Sequence, residues 1–184
     1  MRRIEKTTRD LKKAMGSALL ELMKEKPVEK ISIEEMTAKG DVGRSTYFRY
    51  FKNKDEVLTF KILCMFEDEL EQRGLNIKTI PDDQFVNEVF DFFSRHQDII
   101  ERIDQAGHRS VFLDFFLRLI EPVKSKAADN ISSLQVYYYS QIFAYVCYGF
   151  FNAWVDRGFK ETPEQLQQLF QSNPASNESL NIPQ

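Results

Sequence analysis

Chain breakers and reactive side chains are scarce in these 184 residues: seven glycines, six prolines, two cysteines, two histidines and one tryptophan. So few breakers leave long stretches free to continue one regular element. The apolar residues recur every three or four positions instead of alternating, which points to an all-α protein and away from a β-fold. Cys64 and Cys147 are far apart, each in an apolar segment with no second thiol nearby, which marks both as buried structural thiols. His96 and His108 have no metal-ligand spacing with any cysteine or with each other, so no metal site is expected. There is no glycine-rich phosphate loop and no nucleophile elbow, and the Asp82-Asp83 and Glu34-Glu35 pairs fall at helix starts, where they favour the helix dipole. The chain therefore reads as a non-enzyme without a cofactor. No apolar run reaches the roughly 18 residues that span a bilayer. Met1 to Thr8 is charged and has no apolar segment behind it, so neither insertion nor export is expected, and the expected address is the cytoplasm.

What is present is unevenly placed. The hydrophobic content of 42% suits a sizeable core, and the net charge of -3 conceals an asymmetry. Residues 1–61 carry 15 lysines and arginines against 10 acids, whereas residues 62–184 carry 10 against 18. A basic N-terminal third suits phosphate contact and an acidic remainder is repelled by DNA, so the charge itself would orient the molecule on a nucleic acid.

The periodicity predicts a first helix from about Glu5 to Lys26, with Leu11, Met15, Ala18, Leu19 and Leu22 on one face, ended by Pro27. Ser32 and Glu35 form a capping box that starts a short helix running through Lys39. Gly40-Asp41 reads as a tight turn that needs positive φ, followed by a second short helix from Gly43 to Phe51. Asn53 and Glu56 cap a longer helix toward Gln72. Past a loop from Arg73-Gly74 to Pro81, helices are predicted at about Asp82 to Ser94, His96 to Gln105, Ser110 to Ala128, Ser133 to Asp156 and Pro163 to Phe170. Gly158 closes the longest of these. Residues 172–184 are polar and read as a disordered tail. The expected organisation is a DNA-binding domain over 1–53 and a regulatory and dimerisation domain over 54–171, with 54–72 as the linking helix.

Two short helices joined by a tight turn, preceded by a longer helix in a basic segment, make a helix-turn-helix whose second helix enters the major groove. The run Ile33-Glu-Glu-Met36, then Val42, Thr46 and Tyr47, then Phe48-Arg-Tyr-Phe-Lys-Asn-Lys-Asp-Glu-Val-Leu58 resembles the DNA-binding segment of the TetR family. Trp154-Val-Asp-Arg-Gly158 and Thr162-Pro-Glu-Gln-Leu166 are similar to the end of many members. Three positions depart from that pattern: Asp41 stands at the usual turn glycine, Gly43 at a usual capping serine, and Phe48 where a tyrosine often supplies a hydroxyl.

Chemistry assigns Arg44 and Ser45, at the start of the second short helix, to base edges, since arginine binds guanine O6 and N7 through two donors. The resemblance implies phosphate contacts from Ser32, Thr46, Tyr50 and Lys54, with Phe48 against a sugar or a thymine methyl. Arg49 fits either a phosphate contact or a solvated charge, and Thr37 completes the candidate set. Tyr47 and Phe51 read as core of the small domain.

The remainder is unusually aromatic. Phe66, Phe93, Phe112, Phe116, Tyr139 and Phe143 are candidate linings of a pocket for a small hydrophobic or aromatic effector, and each reads equally as core or interface. The resemblance implies a homodimer through the last two helices, about 133–156 and 163–170, that reads a palindromic operator and is released from it by ligand, hence a repressor. The alternative expectation is a regulator of the same kind controlled by a protein partner, acting as an activator, with no small-molecule ligand.

Overall fold

The computed structural model describes residues 7–120 and 132–172, and these hold nine α-helices and no strand. They fall into two compact units, one of residues 7–65 with 102–111, the other of residues 66–101 with 112–120 and 132–172.

In the first unit, α1 (Thr8–Leu22) starts at a capping box the sequence reading passed over. Thr7 Oγ1 accepts from the Asp10 amide at 3.2 Å and the Asp10 carboxylate accepts from the Thr7 amide at 3.0 Å. The helix ends four residues before Lys26 in tightened i to i−3 bonds, from the Lys24 amide to the Glu21 carbonyl and from the Glu25 amide to the Leu22 carbonyl. Pro27 disfavours helical geometry at the residue before it, so the last turn unwinds early. The expected start at Glu5 lies outside the described residues. A 3-10 turn (Val28–Lys30) leads into α2 (Ile33–Lys39), α3 (Arg44–Tyr50) and α4 (Lys54–Gln72).

Positive φ in the turn between α2 and α3 falls on Asp41, at 51°, while Gly40 has φ −82°. Gly40 serves closeness instead, since a Cβ there would stand 3.1 Å from the Ala14 carbonyl oxygen and 3.3 Å from that of Met36. Met15, Leu19, Val28, Ile31, Met36, Val42, Tyr47, Phe51, Val57 and Leu58 are all buried and form the core on which α1, α2 and α3 pack.

The second unit holds the end of α4, α5 (Asp82–Arg95), most of α6 (Gln97–Gln105), most of α7 (Ser110–Leu119), α8 (Ser133–Asp156) and α9 (Pro163–Ser172). The helix predicted to run to Ala128 stops at Leu119, and residues 121–131 lie outside the described residues. So do residues 173–184 of the expected tail, whose first residue Ser172 instead ends α9, and the side chains of the Asp82-Asp83 pair. Phe85, Val86, Val89, Phe90, Phe92 and Phe93 give α5 a broad apolar face, and α9 packs against that helix. Gly158 closes α8 with φ +71°, and Phe159 follows at φ 57° with its ring 4.9 Å from that of Trp154. Cys64 and Cys147 are both buried, and burial pushes the Cys147 thiol well above its ordinary range. Among the described residues no helix is long and apolar enough to cross a membrane.

Candidate nucleic-acid interface

Three devices fix α3 in place. Tyr47 is buried and Phe51 caps the helix from inside the core, with ring centroids 6.2 Å apart, so one face of this two-turn helix is anchored by aromatic burial. At its far end, Asn53 Oδ1 accepts from the Glu56 amide at 2.9 Å and the Glu56 carboxylate accepts from the Lys52 amide at 2.8 Å, so the predicted cap forms with its return bond one residue earlier than expected. Beneath, Lys12 Nζ lies 4.0 Å from the centre of the Phe60 ring and 5.4 Å from that of Phe51, a cation-π contact that ties α1 to α4.

The outer face of α3 carries Arg44, Ser45, Phe48 and Arg49, all exposed, with Thr46 half-buried. Phe48 is the most exposed of these in apolar terms at 62%, its ring set edge-on to Tyr47 at 5.2 Å. Arg44 and Phe48 are four residues apart and so share a face of the helix. Tyr50 is exposed at the end of α3, and hydrogen bonds from Thr8 and then Arg49 hold its phenol below the ordinary range.

Three predicted contact residues have structural partners inside the unit. Ser32 is the N-cap of α2, its hydroxyl accepting from the Glu35 amide at 3.1 Å. The Glu35 carboxylate accepts in turn from the Ser32 amide at 2.8 Å and pairs with Lys26, and these bonds, Lys26 foremost, hold its pKa down at about 2. Thr37 is only 2% exposed and its hydroxyl donates to the Ile33 carbonyl at 2.8 Å. Lys54 donates through its ammonium to the Val28 carbonyl, which fastens the start of α4 to the 3-10 turn. An ammonium has three donors, so this bond leaves others for an anion.

The aromatic candidates of the second unit separate into two groups. Phe66, Phe93, Phe112 and Phe116 are fully buried, and Phe151 sits 4.7 Å from Phe93, 4.7 Å from Phe112 and 5.9 Å from Phe116. Phe66 joins them through Phe115 at 6.0 Å. Phe143 packs elsewhere, 6.1 Å from Phe170, and Tyr139 is half-buried on α8.

A second surface lay hidden in the apolar texture of α8. Leu134, Tyr138, Ile142 and Tyr145 are 65%, 58%, 50% and 55% exposed, at spacings of four, four and three along one face. Leu169 on α9 is 52% exposed. The helical spacing was legible, but which of the many aromatics face outward was not.

Residues 83–173 match the family described as "Transcriptional regulator C-terminal region", of the TetR type. No curated protein matches. Among solved structures the chain is similar to the "Dihydroxyacetone kinase operon activator DhaS", with a TM-score of 0.46 and 18% identity over 92% of this chain and 94% of that one.

Proposed function

We propose that this chain, which belongs to the TetR family of transcriptional regulators, is a repressor that binds a palindromic operator as a homodimer and leaves it on binding a small hydrophobic or aromatic ligand. Proteins of this type bind DNA and dimerise. The observation that carries the DNA-reading role here is α3 itself, anchored through Tyr47 and Phe51 and presenting Arg44, Ser45 and Phe48 to solvent. Arg44, in the first turn, is the base reader, and Thr46, Arg49, Tyr50 and Lys54 contribute toward phosphates. Thr37 is retained as part of the scaffold that holds them.

A helix apolar all round is buried on all sides or seated on a partner. The exposed stripe of α8 and the exposed Leu169 of α9 support dimerisation through α8 and α9. Twofold symmetry then sets two copies of α3 about 34 Å apart, one turn of DNA. An effector would enter among the Phe93, Phe112 and Phe116 rings, and Trp154, the single tryptophan, would report it by fluorescence through its contacts with Phe90 and Phe159.

The test is binding of the purified protein to the intergenic DNA upstream of its own gene over a range of salt, beside Arg44→Ala. The expected result is tight binding that weakens steeply with salt, and a variant that keeps the salt slope but loses about 1–3 kcal/mol of discrimination against random DNA. Equal binding to specific and random DNA by the unaltered protein overturns the reading.

A further inference from the structure

His108, a residue with no metal-ligand spacing and no place among the DNA contacts, bridges two carboxylates from distant parts of the chain. Its Nδ1 lies 2.7 Å from Asp55 Oδ1 and its Nε2 lies 2.8 Å from Glu29 Oε1. The loop that carries it is built to hold it there. Gly107 turns at φ +79°, the His108 amide donates to the Ile103 carbonyl at 3.0 Å, and Arg109 pairs with Asp104 across the loop. Farther on, the Thr59 hydroxyl reaches the Val111 carbonyl at 3.4 Å, pinning the start of α7, just past the loop, to α4.

The position of the two carboxylates gives the bridge its meaning. Glu29 lies in the 3-10 turn just before Ser32, the cap of α2, and Asp55 is in the first turn of α4 just after α3. The ring therefore closes the two ends of the α2-turn-α3 segment on each other. Lys54 closes the same ends through the Val28 carbonyl. Glu29 is held below the ordinary carboxylate range first by its own backbone amide and then by His108.

We propose that His108 is a positioning residue for DNA binding, its doubly protonated ring clasping Glu29 to Asp55 so that α2 and α3 are presented in one fixed frame. The proposal rests on the DNA-reading role of α3. Both ring nitrogens face acceptors, and only the imidazolium has two N–H donors. The neutral ring donates to one carboxylate and turns a lone pair toward the other. The clasp is therefore closed on both sides in the imidazolium form and open at one carboxylate in the neutral form. Asp55 on α4 and Glu29 on the 3-10 turn face the ring, Lys54 acts on Glu29, and the Arg109–Asp104 pair spans the ring's own loop.

The experiment measures affinity for a DNA sequence selected from a random duplex pool by the purified protein, at fixed salt, from about pH 6 to about pH 8. Three proteins are compared, the unaltered chain, His108→Ala and Glu29→Gln. The unaltered protein is expected to lose about tenfold in affinity across the range, the scale of one charge-assisted hydrogen bond, beyond any slope shown by His108→Ala. His108→Ala is expected to be weak throughout. Glu29→Gln is expected to stay tight throughout, because the glutamine side chain can accept from a protonated ring or donate to a neutral one. A common slope for the unaltered protein and His108→Ala, or a Glu29→Gln variant as weak as His108→Ala, overturns the clasp. Nitrogen-15 spectra of the histidine rings in the protein without DNA decide the matter separately. At about pH 6 both His108 N–H protons should exchange slowly, and a single slow proton refutes the clasp. A pool that yields no preferred sequence at any pH, with two slow protons on the ring, refutes the DNA-binding reading and leaves the clasp standing.

Discussion

Replacing Gly16 by alanine sets two effects of known size against each other. On helix propensity alone the change stabilises an interior helical position by about 1 kcal/mol. In the structure Gly16 is where α1 meets α4, and a Cβ there would lie 2.5 Å from Lys61 Cβ, 3.0 Å from Cγ and 3.2 Å from Cδ. Ordinary carbon contacts sit at about 3.5–4.0 Å, so the helices must part by about an ångström. The nearest atom is the Cβ of Lys61, fixed to the α4 backbone, so no rotamer change removes it. Forced overpacking costs about 1–3 kcal/mol, which outweighs the propensity gain and leaves a net loss of about 1 kcal/mol. The decisive comparison is a double-mutant cycle with Lys61→Gly, followed by urea unfolding. Lys61→Gly alone weakens α4 by up to about 1 kcal/mol. Combined with Gly16→Ala it deletes the clashing atom, so the two changes should couple favourably by about 1–2 kcal/mol. A Gly16→Ala protein at least as stable as the parent, or effects that simply add, would refute the close approach of α1 and α4.

Three further outcomes are expected. Thr37→Val removes the hydroxyl bond to the Ile33 carbonyl from a buried site, so it should cost up to about 1 kcal/mol in unfolding while operator affinity stays within about twofold. A larger loss of affinity than of stability would place Thr37 at the DNA. Glu35 has its folded pKa depressed from 4.5 to about 2, so its contribution is fully present above its ordinary value and is lost as pH falls through about 2. Its side-chain carbon-13 signal should titrate near that lower value and move up in Lys26→Met; titration near 4.5 in the parent would sink the cap-and-pair account. Ile142→Glu puts a charge in the middle of the exposed α8 stripe and should weaken dimerisation by at least about a hundredfold in sedimentation, with helicity unchanged. Unchanged sedimentation would remove that face from the interface.

Legibility followed sequence distance. The capping box at Ser32 and the cap at Asn53 join residues three apart, and the helix starts they mark were readable because their hydrogen bonds need only local backbone geometry. The Thr7 box obeys the same rule and was passed over with the helix start set at about Glu5. Gly40 shows the limit of such reasoning. A glycine in a turn suggests positive φ, yet Asp41 adopts that conformation and Gly40 is needed for its closeness to the Ala14 carbonyl, a neighbour supplied by α1. Lys54 shows the same limit from the side of chemistry, since a lysine beside a reading helix suggests phosphate and only the fold shows that its ammonium also bonds the Val28 carbonyl.

From its sequence alone this protein is all-helical, carries a basic helix-turn-helix in its N-terminal third, and places Arg44 and Ser45 at the start of the second short helix. Periodicity, caps and charge are properties of neighbouring residues, and each is settled within a turn or two of chain. Only the tertiary structure decided that Thr37 is buried, that five large apolar residues of α8 face outward while Phe143 and Phe151 face in, and that His108 reaches Glu29 across 79 positions. Those outcomes depend on which helices pack together and at what separation, and a side chain's neighbours across the core are fixed by packing that no local pattern encodes.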